Sequence, residues 1–175
     1  MTASAKHLFR FRPLQPTDLD RLHHWLQEPH VAPWWGDFSD RGRFELHFME
    51  QMESDWRFAN LAVLGQKPVG YMQYYVAALR AGELGLGNAN GVLGLEFLIG
   101  DRLLLGKGLG RSLVLRAIDL LFREQAIRAL VVDLAPDNEI SRKVLTGAGF
   151  AFSHNADQGR MIYRLNREDQ IDAGE

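Results

Sequence analysis

Three glycines at alternate positions, Gly106, Gly108 and Gly110, stand in the stretch Leu104-Leu105-Gly106-Lys107-Gly108-Leu109-Gly110-Arg111-Ser112. There an apolar run gives way to a turn and then to helical spacing from Leu113. Residues without a Cβ let backbone N–H groups approach an anion closely, and a helix N-terminus favours negative charge. The chemistry this spacing supports is the cradling of a phosphate or pyrophosphate. Ten residues upstream a single carboxylate, Glu96, interrupts the apolar run Val92–Ile99. Asp133 ends a second short apolar run, and Asn138 heads the helical pattern that follows it. Two adjacent tryptophans, Trp34 and Trp35, lie between Pro33 and Gly36. They read either as a hydrophobic plug between helices or as the lining of a substrate pocket, where indole faces pack a sugar or attract an ammonium. Tyr71, Gln73 and Tyr75 share one strand face, polar enough to line a site and equally suited to the outside of a sheet.

Elements must carry these groups. Leu8-Phe9-Arg10-Phe11-Arg12-Pro13-Leu14 alternates apolar and basic residues and predicts a strand with one buried face. Pro16-Thr17-Asp18-Leu19-Asp20 reads as a helix start with Thr17 as N-cap; Leu19, Leu22, Trp25 and Leu26 supply its apolar face before Pro29. Phe44, Phe48 and Met52 predict a second amphipathic helix. Phe58–Leu64 and Val69–Ala77 read as a hairpin about Gly65-Gln66-Lys67-Pro68. After a loop over Ala78–Gly91 come the strand Val92–Ile99 and the helix Leu109–Arg123, with Leu113, Ala117, Leu120 and Leu121 inward. Ala129–Asp133 predicts a strand buried on both faces. Asn138–Thr146 predicts a helix capped by Asp137 and closed by Gly147 or Gly149. Phe150–His154 and Met161–Leu165 form a last hairpin, and the polar tail from Glu168 reads as frayed. The order β-α-α-β-β-β-α-β-α-β-β describes an α/β (mixed α+β) fold with a central, mostly antiparallel sheet and helices on both faces.

Composition narrows the classes. The 175 residues suit a single domain over 1–175, with a core over about 8–166 and a polar tail. A net charge of −2 argues against nucleic acid as a partner. No apolar run is long enough to cross a bilayer, and the N-terminus has no signal-peptide core, so a cytoplasmic protein is expected. With no cysteine, disulfides, thiolate nucleophiles and zinc–thiolate sites are excluded together. The histidines His23, His24 and His47 show no ligand pattern, and no metal is expected. Nucleoside triphosphates fail by count. A G-x-x-x-x-G-K-[ST] loop needs glycine where Asp101 stands and Ser or Thr where Gly108 stands. In Gly85-Leu86-Gly87-Asn88-Ala89-Asn90 the third glycine of a dinucleotide fingerprint is replaced by Asn90, and no helical pattern follows. A strand–glycine turn–helix unit on a mixed sheet is better suited to the pyrophosphate of coenzyme A, against the plainer reading of a turn that packs helix on strand.

The motifs together resemble the GNAT acetyltransferase superfamily over Phe9–Leu165. Gly106-Lys107-Gly108-Leu109-Gly110 is similar to the core of its acetyl-CoA motif, and Asp133, Pro136 and Asn138 followed by Gly147-Ala148-Gly149-Phe150 to its second signature. Within the superfamily, His30-Val31 with Trp34-Trp35-Gly36, Pro68-Val69-Gly70-Tyr71 with Gln73 and Tyr75, and the glycine loop look most similar to aminoglycoside 6′-N-acetyltransferases. Enzymes acting on siderophore precursors or lysine-like amines share some of these motifs.

The resemblance implies a sheet of about seven strands and acetyl-CoA as donor. It assigns the pyrophosphate to Leu105, Gly106, Lys107, Gly108, Leu109, Gly110 and Arg111. The backbone of Phe97, Leu98 and Ile99 would bind the pantetheine arm and polarise the thioester where the strand splays from its neighbour, and Asn138 and Ser141 would complete the cofactor site. On the acceptor side it implies Trp34, Trp35, Tyr71, Gln73, Tyr75, Glu96 and Asp133, the last holding ammonium groups. An aliphatic ammonium has a pKa of about 10.4 and cannot attack until it loses a proton. Glu96 matches the family's base for that step, directly or through water; a plainer role is an ion pair with an arginine at the strand edge. The expected partner is a small-molecule amine taken by a monomer or homodimer in a direct, ternary-complex reaction. The alternatives are a lysine-, hydroxylysine-, polyamine- or peptide-type amine, and, in another class, a non-catalytic acyl-CoA-binding regulatory domain. Three departures bear on this. Leu105 replaces a polar residue at the head of the loop, Leu145 stands where many members carry an acidic tyrosine, and Ala78–Gly91 offers only Glu83 beside Arg80. The sparse carboxylates favour a less cationic acceptor.

Overall fold

The alternation at the N-terminus becomes β1 (Phe9–Pro13), antiparallel to β2 (Arg57–Leu64) with Phe9 opposite Leu64 and Pro13 opposite Asn60. This is seen in a computed structural model that describes residues 9–171; Leu8 and the last four residues of the tail lie outside that range. β2 turns into β3 (Lys67–Val76) over Gly65 and Gln66 alone, where Gly65 supplies a φ of 63° at the first turn position. The turn is therefore shorter than the sequence suggests, and Lys67 and Pro68 already belong to the strand. With β4 (Val92–Ile99), β5 (Ala129–Leu134), β6 (Ala151–Asn155) and β7 (Met161–Asn166) the sheet has seven strands, in the order β1-β2-β3-β4-β5-β7-β6. β4 and β5 are parallel, while β5–β7 and β6–β7 are antiparallel. No helix among the described residues is long and apolar enough to cross a membrane.

The chain divides into two compact units. One gathers the chain up to Gln73 together with Phe97–Ser112; the other gathers Tyr74–Glu96 together with the chain from Leu113.

In the first unit, α1 (Leu19–Gln27) buries Leu19, Leu22, Trp25 and Leu26 as its spacing predicts. Thr17 does not cap it, because Pro16–Asp18 is a 3₁₀ turn that runs straight into the helix. The Asp18 carboxylate accepts from the Gln15 N–H at 3.0 Å and takes both amino groups of Arg12 at 2.6 and 2.7 Å. The tryptophan pair falls in a short helix, α2 (Ala32–Trp35), that periodicity does not reveal. α3 (Arg41–Met52) is capped by Asp40 and buries Phe44, Phe48 and Gln51. These helices meet Leu61, Val63, Tyr71 and Leu98 in one hydrophobic cluster. A Cβ on Gly100 would lie 2.1 Å from the Trp25 indole, so only glycine admits this packing.

In the second unit, α4 (Leu109–Leu121), whose first turn belongs to the other unit, buries Leu113, Val114, Ala117, Ile118 and Leu121. Leu120 is only half-buried, so the inner stripe is set by Val114 and Ile118 instead. β5 is buried at Ala129–Val132 and Leu134. α5 (Glu139–Gly147) is capped by Asn138, not Asp137: its side-chain oxygen accepts from the Ser141 N–H at 3.1 Å. It is closed by Gly149 rather than Gly147. With φ at 98°, Gly149 donates to the Thr146 carbonyl and Phe150 to that of Leu145, the two bonds of a Schellman ending. The tail is not frayed as far as it is described. Arg167–Ile171 forms α6, and Arg167 ties it to the carbonyls of Phe122, Glu124 and Ile127.

Candidate active site

The parallel register of β4 and β5 runs from Val92–Ala129 to Gly94–Val131 and stops there, although β4 continues to Ile99 and β5 to Leu134. The two strands splay beyond Gly94. Just past that point each presents its one carboxylate, Glu96 on β4 and Asp133 on β5.

A single guanidinium holds these acids in an array. Arg80, in the 3₁₀ turn Ala77–Arg80 that leaves β3, donates from Nε to Glu83 Oε2 at 2.9 Å. Its two amino groups lie 3.7 Å from Glu96 Oε1 and 4.0 Å from Asp133 Oδ2, ion-pair distances too long for hydrogen bonds. Arg80 also stacks over the Tyr75 ring at 5.0 Å. That ring in turn lies where a Cβ of residue 94 would be, 2.0 Å from Tyr75 Cζ, so Gly94 is what lets Tyr75 settle against β4. Burial works against the charge on Arg80, but Tyr75, Glu83 and Glu96 more than offset it and hold its pKa above the ordinary arginine value. Asp133 is engaged on its other side by Arg160, which donates to Oδ1 at 2.7 Å and to the Asp133 carbonyl at 3.1 Å. Both sequence readings of Glu96 are thus physically compatible: it is 29% exposed at the splay and has an arginine beside it. Asn138 and Ser141 form the cap of α5, and Leu145, at the position of the missing tyrosine, is fully buried.

In the first unit the glycine loop opens α4, and helical bonding begins at Ser112, whose N–H and Oγ both reach the Gly108 carbonyl. The helix starts at Leu109, as its expected range has it, so Gly110 and Arg111 lie in its first turn, where a helix has N–H groups to offer. Gly106 and Gly108 have φ of 72° and 75°, and a Cβ built on either meets nothing within 4 Å. These glycines serve backbone conformation rather than packing, as an open anion cradle requires. The side chains of Leu105, Lys107 and Arg111 are exposed.

On β4, Phe97 is half-buried and Leu98 and Ile99 are buried. The Ile99 carbonyl meets His30 Nε2 at 2.9 Å, and the Gly100 N–H bonds the Val69 carbonyl. Trp35 packs edge-on to Tyr71 at 5.6 Å and against the core, which favours the plug reading for that indole; Trp34 is half-buried. Tyr71, Gln73 and, in the second unit, Tyr75 are all buried, which removes the outer-face reading of their strand. The Tyr71 hydroxyl reaches Gln73 Oε1 at 2.7 Å and Gln51 Oε1 at 3.2 Å, and Gln51 Nε2 meets His47 Nε2 at 2.7 Å.

Sequence reasoning sets Arg80 beside Glu83 but misses its approach to Glu96 and Asp133, and misses Arg160, because those partners are remote in the chain. A glycine inside the otherwise apolar β4 is the signal that an aromatic ring approaches there.

The chain matches the family described as Acetyltransferase (GNAT) domain over residues 15–158. It is 31% identical over 144 residues to an aminoglycoside N(6′)-acetyltransferase type 1 of Klebsiella pneumoniae, covering 76% of this chain and 69% of the relative. It is 26% identical to the lysine N-acyltransferase MbtK of Mycobacterium tuberculosis, over 90% of this chain and 77% of the relative. The solved structure of aminoglycoside acetyltransferase AAC(6′)-Ib in complex with coenzyme A and kanamycin superposes with a TM-score of 0.79 at 25% identity, covering 95% of this chain and 99% of that one. With its seven-stranded mixed sheet, splayed β4 and glycine loop at a helix start, the chain belongs to the GNAT acetyltransferase family and is an N-acetyltransferase with acetyl-CoA as donor.

Proposed function

We propose that the enzyme acetylates a primary amine of an amino-sugar acceptor of the aminoglycoside type, by direct attack on acetyl-CoA within a ternary complex. The observation that carries this reading is the splay of β4 from β5 after Gly94, with Glu96 immediately past it and Phe97–Ile99 following. Strand N–H groups released from a ladder can bind the amide-bearing arm of the donor and stabilise the oxyanion that develops at its thioester. Glu96 takes a proton from the acceptor ammonium, directly or through water. The freed amine attacks the carbonyl carbon, the C–N bond forms, and the C–S bond breaks with departure of the coenzyme A thiolate, which takes up the second proton that the nitrogen sheds as it becomes the amide. A thiol pKa of about 8.5 lets that thiolate leave without a general acid, in keeping with Leu145 at the position of the family's tyrosine. Asp133 and Trp34 orient the acceptor, backed from beneath by Trp35, Tyr71, Gln73 and Tyr75. The glycine loop from Leu105 to Arg111 holds the pyrophosphate mainly through its backbone, and Asn138 with Ser141 supports the donor side. The absence of cysteine leaves no cysteinyl acyl-enzyme route. We place the reaction in the cytoplasm, in a monomer or homodimer.

A lysine-type amine is the second reading, favoured by the similarity to a lysine N-acyltransferase over 90% of the chain. Acetyl-CoA consumption across aminoglycosides, polyamines, lysine derivatives and peptides tests the acceptor; failure of every aminoglycoside removes the first reading. Glu96→Gln should lower kcat by about 10²–10⁴-fold while coenzyme A still binds. Unchanged turnover would show that Glu96 is not the base.

A further inference from the structure

We infer that Arg80 is a specificity-determining residue, a built-in counter-cation between Glu96 and Asp133 that selects for acceptors carrying few ammonium groups. The inference builds on the proposed amine acetylation and concerns which amines that site prefers.

Each nitrogen of the Arg80 guanidinium faces a different carboxylate: Nε meets Glu83, and the two amino groups face Glu96 and Asp133. A group in that position fills the site where a second ammonium of a polycationic acceptor would gain most from the paired acids. The charges show how little is left. Glu83, Glu96 and Asp133 bring three negative charges, and Arg80 and Arg160 bring two positive ones, so the cluster retains a single net negative charge. One ammonium balances it; each further ammonium meets a fixed arginine.

Arg80 is held in place rather than hanging loose. Its side chain is only 21% exposed, it is stacked on Tyr75, and Tyr75 is seated over Gly94. Arg160 is bound to both the side chain and the carbonyl of Asp133, so much of that acid's charge is already balanced. Like charges a few ångströms apart in a half-buried site repel strongly enough to change affinity by about tenfold per pair.

The test compares kcat/KM for a monoamine sugar, 6-amino-6-deoxyglucose, with that for polycationic kanamycin, in the wild type and in Arg80→Met and Arg80→Lys. Arg80→Met keeps the bulk and loses the charge; it should raise the kanamycin-to-monoamine ratio about tenfold, through KM, and the gain should shrink as salt is raised. Arg80→Lys should keep the wild-type ratio. Because a ratio is read, a general loss of activity does not mimic the effect. Calorimetric binding of kanamycin to each coenzyme A-saturated protein reads the same preference without turnover, with Arg80→Met binding about tenfold tighter. A ratio and an affinity that stay within twofold in Arg80→Met overturn the role of Arg80. If the wild type acetylates neither sugar but turns over lysine derivatives, the aminoglycoside reading fails. The Arg80 comparison is then made between lysine amides of one and several ammonium groups, with the same outcomes.

Discussion

At the scale of single residues, the buried polar chain from His47 to Gln73 is where protonation bears on stability. His47 is held below the ordinary histidine pKa, first by burial and then by the nearby positive charge of Arg57. The neutral ring suits its neighbour, since Nε2 can accept from the Gln51 amide at 2.7 Å, and Gln51 in turn receives the Tyr71 hydroxyl. A folded-state pKa lowered in this way means the unfolded chain binds the proton more readily. The contribution is fully present above the unfolded value of about 6.5 and is lost as pH falls through the lower folded value. Urea unfolding midpoints followed downward from pH 7.5 should therefore fall, and fall less steeply in His47→Gln; equal slopes would show that this group is not responsible. Tyr71→Phe takes the donor from two buried glutamines at once and should cost about 1–3 kcal/mol at any pH. That loss is read from the same denaturation curves.

At the scale of elements, Gly94 shows how a strand can place a side chain on its neighbour. An alanine there would collide with the Tyr75 ring, and because the backbone of β4 is fixed by both adjacent strands, it is the ring that must move. Gly94→Ala should cost about 1–3 kcal/mol by overpacking. By displacing the support of Arg80, it should also shift acceptor preference in the same direction as Arg80→Met. A thermal melt and the two-acceptor assay check the two parts, and a stable variant with wild-type preference would show that Tyr75 does not seat Arg80. The contrast between Gly94 and Arg80 also explains what the sequence made legible. β4 was readable to the residue because an unbroken apolar run with one acid has few other interpretations, and the glycine loop because alternate glycines before a helix have few other uses. The N-cap of α5 is not legible in the sequence, because Asp137 and Asn138 are both good caps and only the fold chooses between them. α6 carries no apolar period; it is held by Arg167 on three carbonyls 40 to 45 positions away in sequence, at Phe122, Glu124 and Ile127. Arg80 escaped for the same reason: Asp133 is remote in sequence, and charge pairing has no periodicity to betray it.

At the scale of the whole molecule, donor binding should register in the global stability of the chain. A ligand that binds only the folded state stabilises it by about 2.7 kcal/mol at a hundredfold excess over Kd, which in a chain of this length raises Tm by about 5–10 °C. Acetyl-CoA, or coenzyme A where turnover is to be avoided, should give such a shift in the wild type and in Glu96→Gln alike, because removing the base leaves the donor's anchors untouched. The loop variants then divide the binding between side chain and backbone. Lys107 is exposed, so Lys107→Ala should preserve most of the shift. Gly108→Val forces a branched residue into a φ of 75° where a Cβ meets nothing within 4 Å, so its unliganded stability should fall by a backbone strain of about 1–2 kcal/mol. If the loop backbone forms the cradle, however, the ligand-induced shift should largely disappear, since the strained residue can relieve its φ only by turning the N–H groups of the loop. The reverse pattern, with the shift lost in Lys107→Ala and kept in Gly108→Val, would mean that the pyrophosphate is held by a point charge on an otherwise ordinary turn.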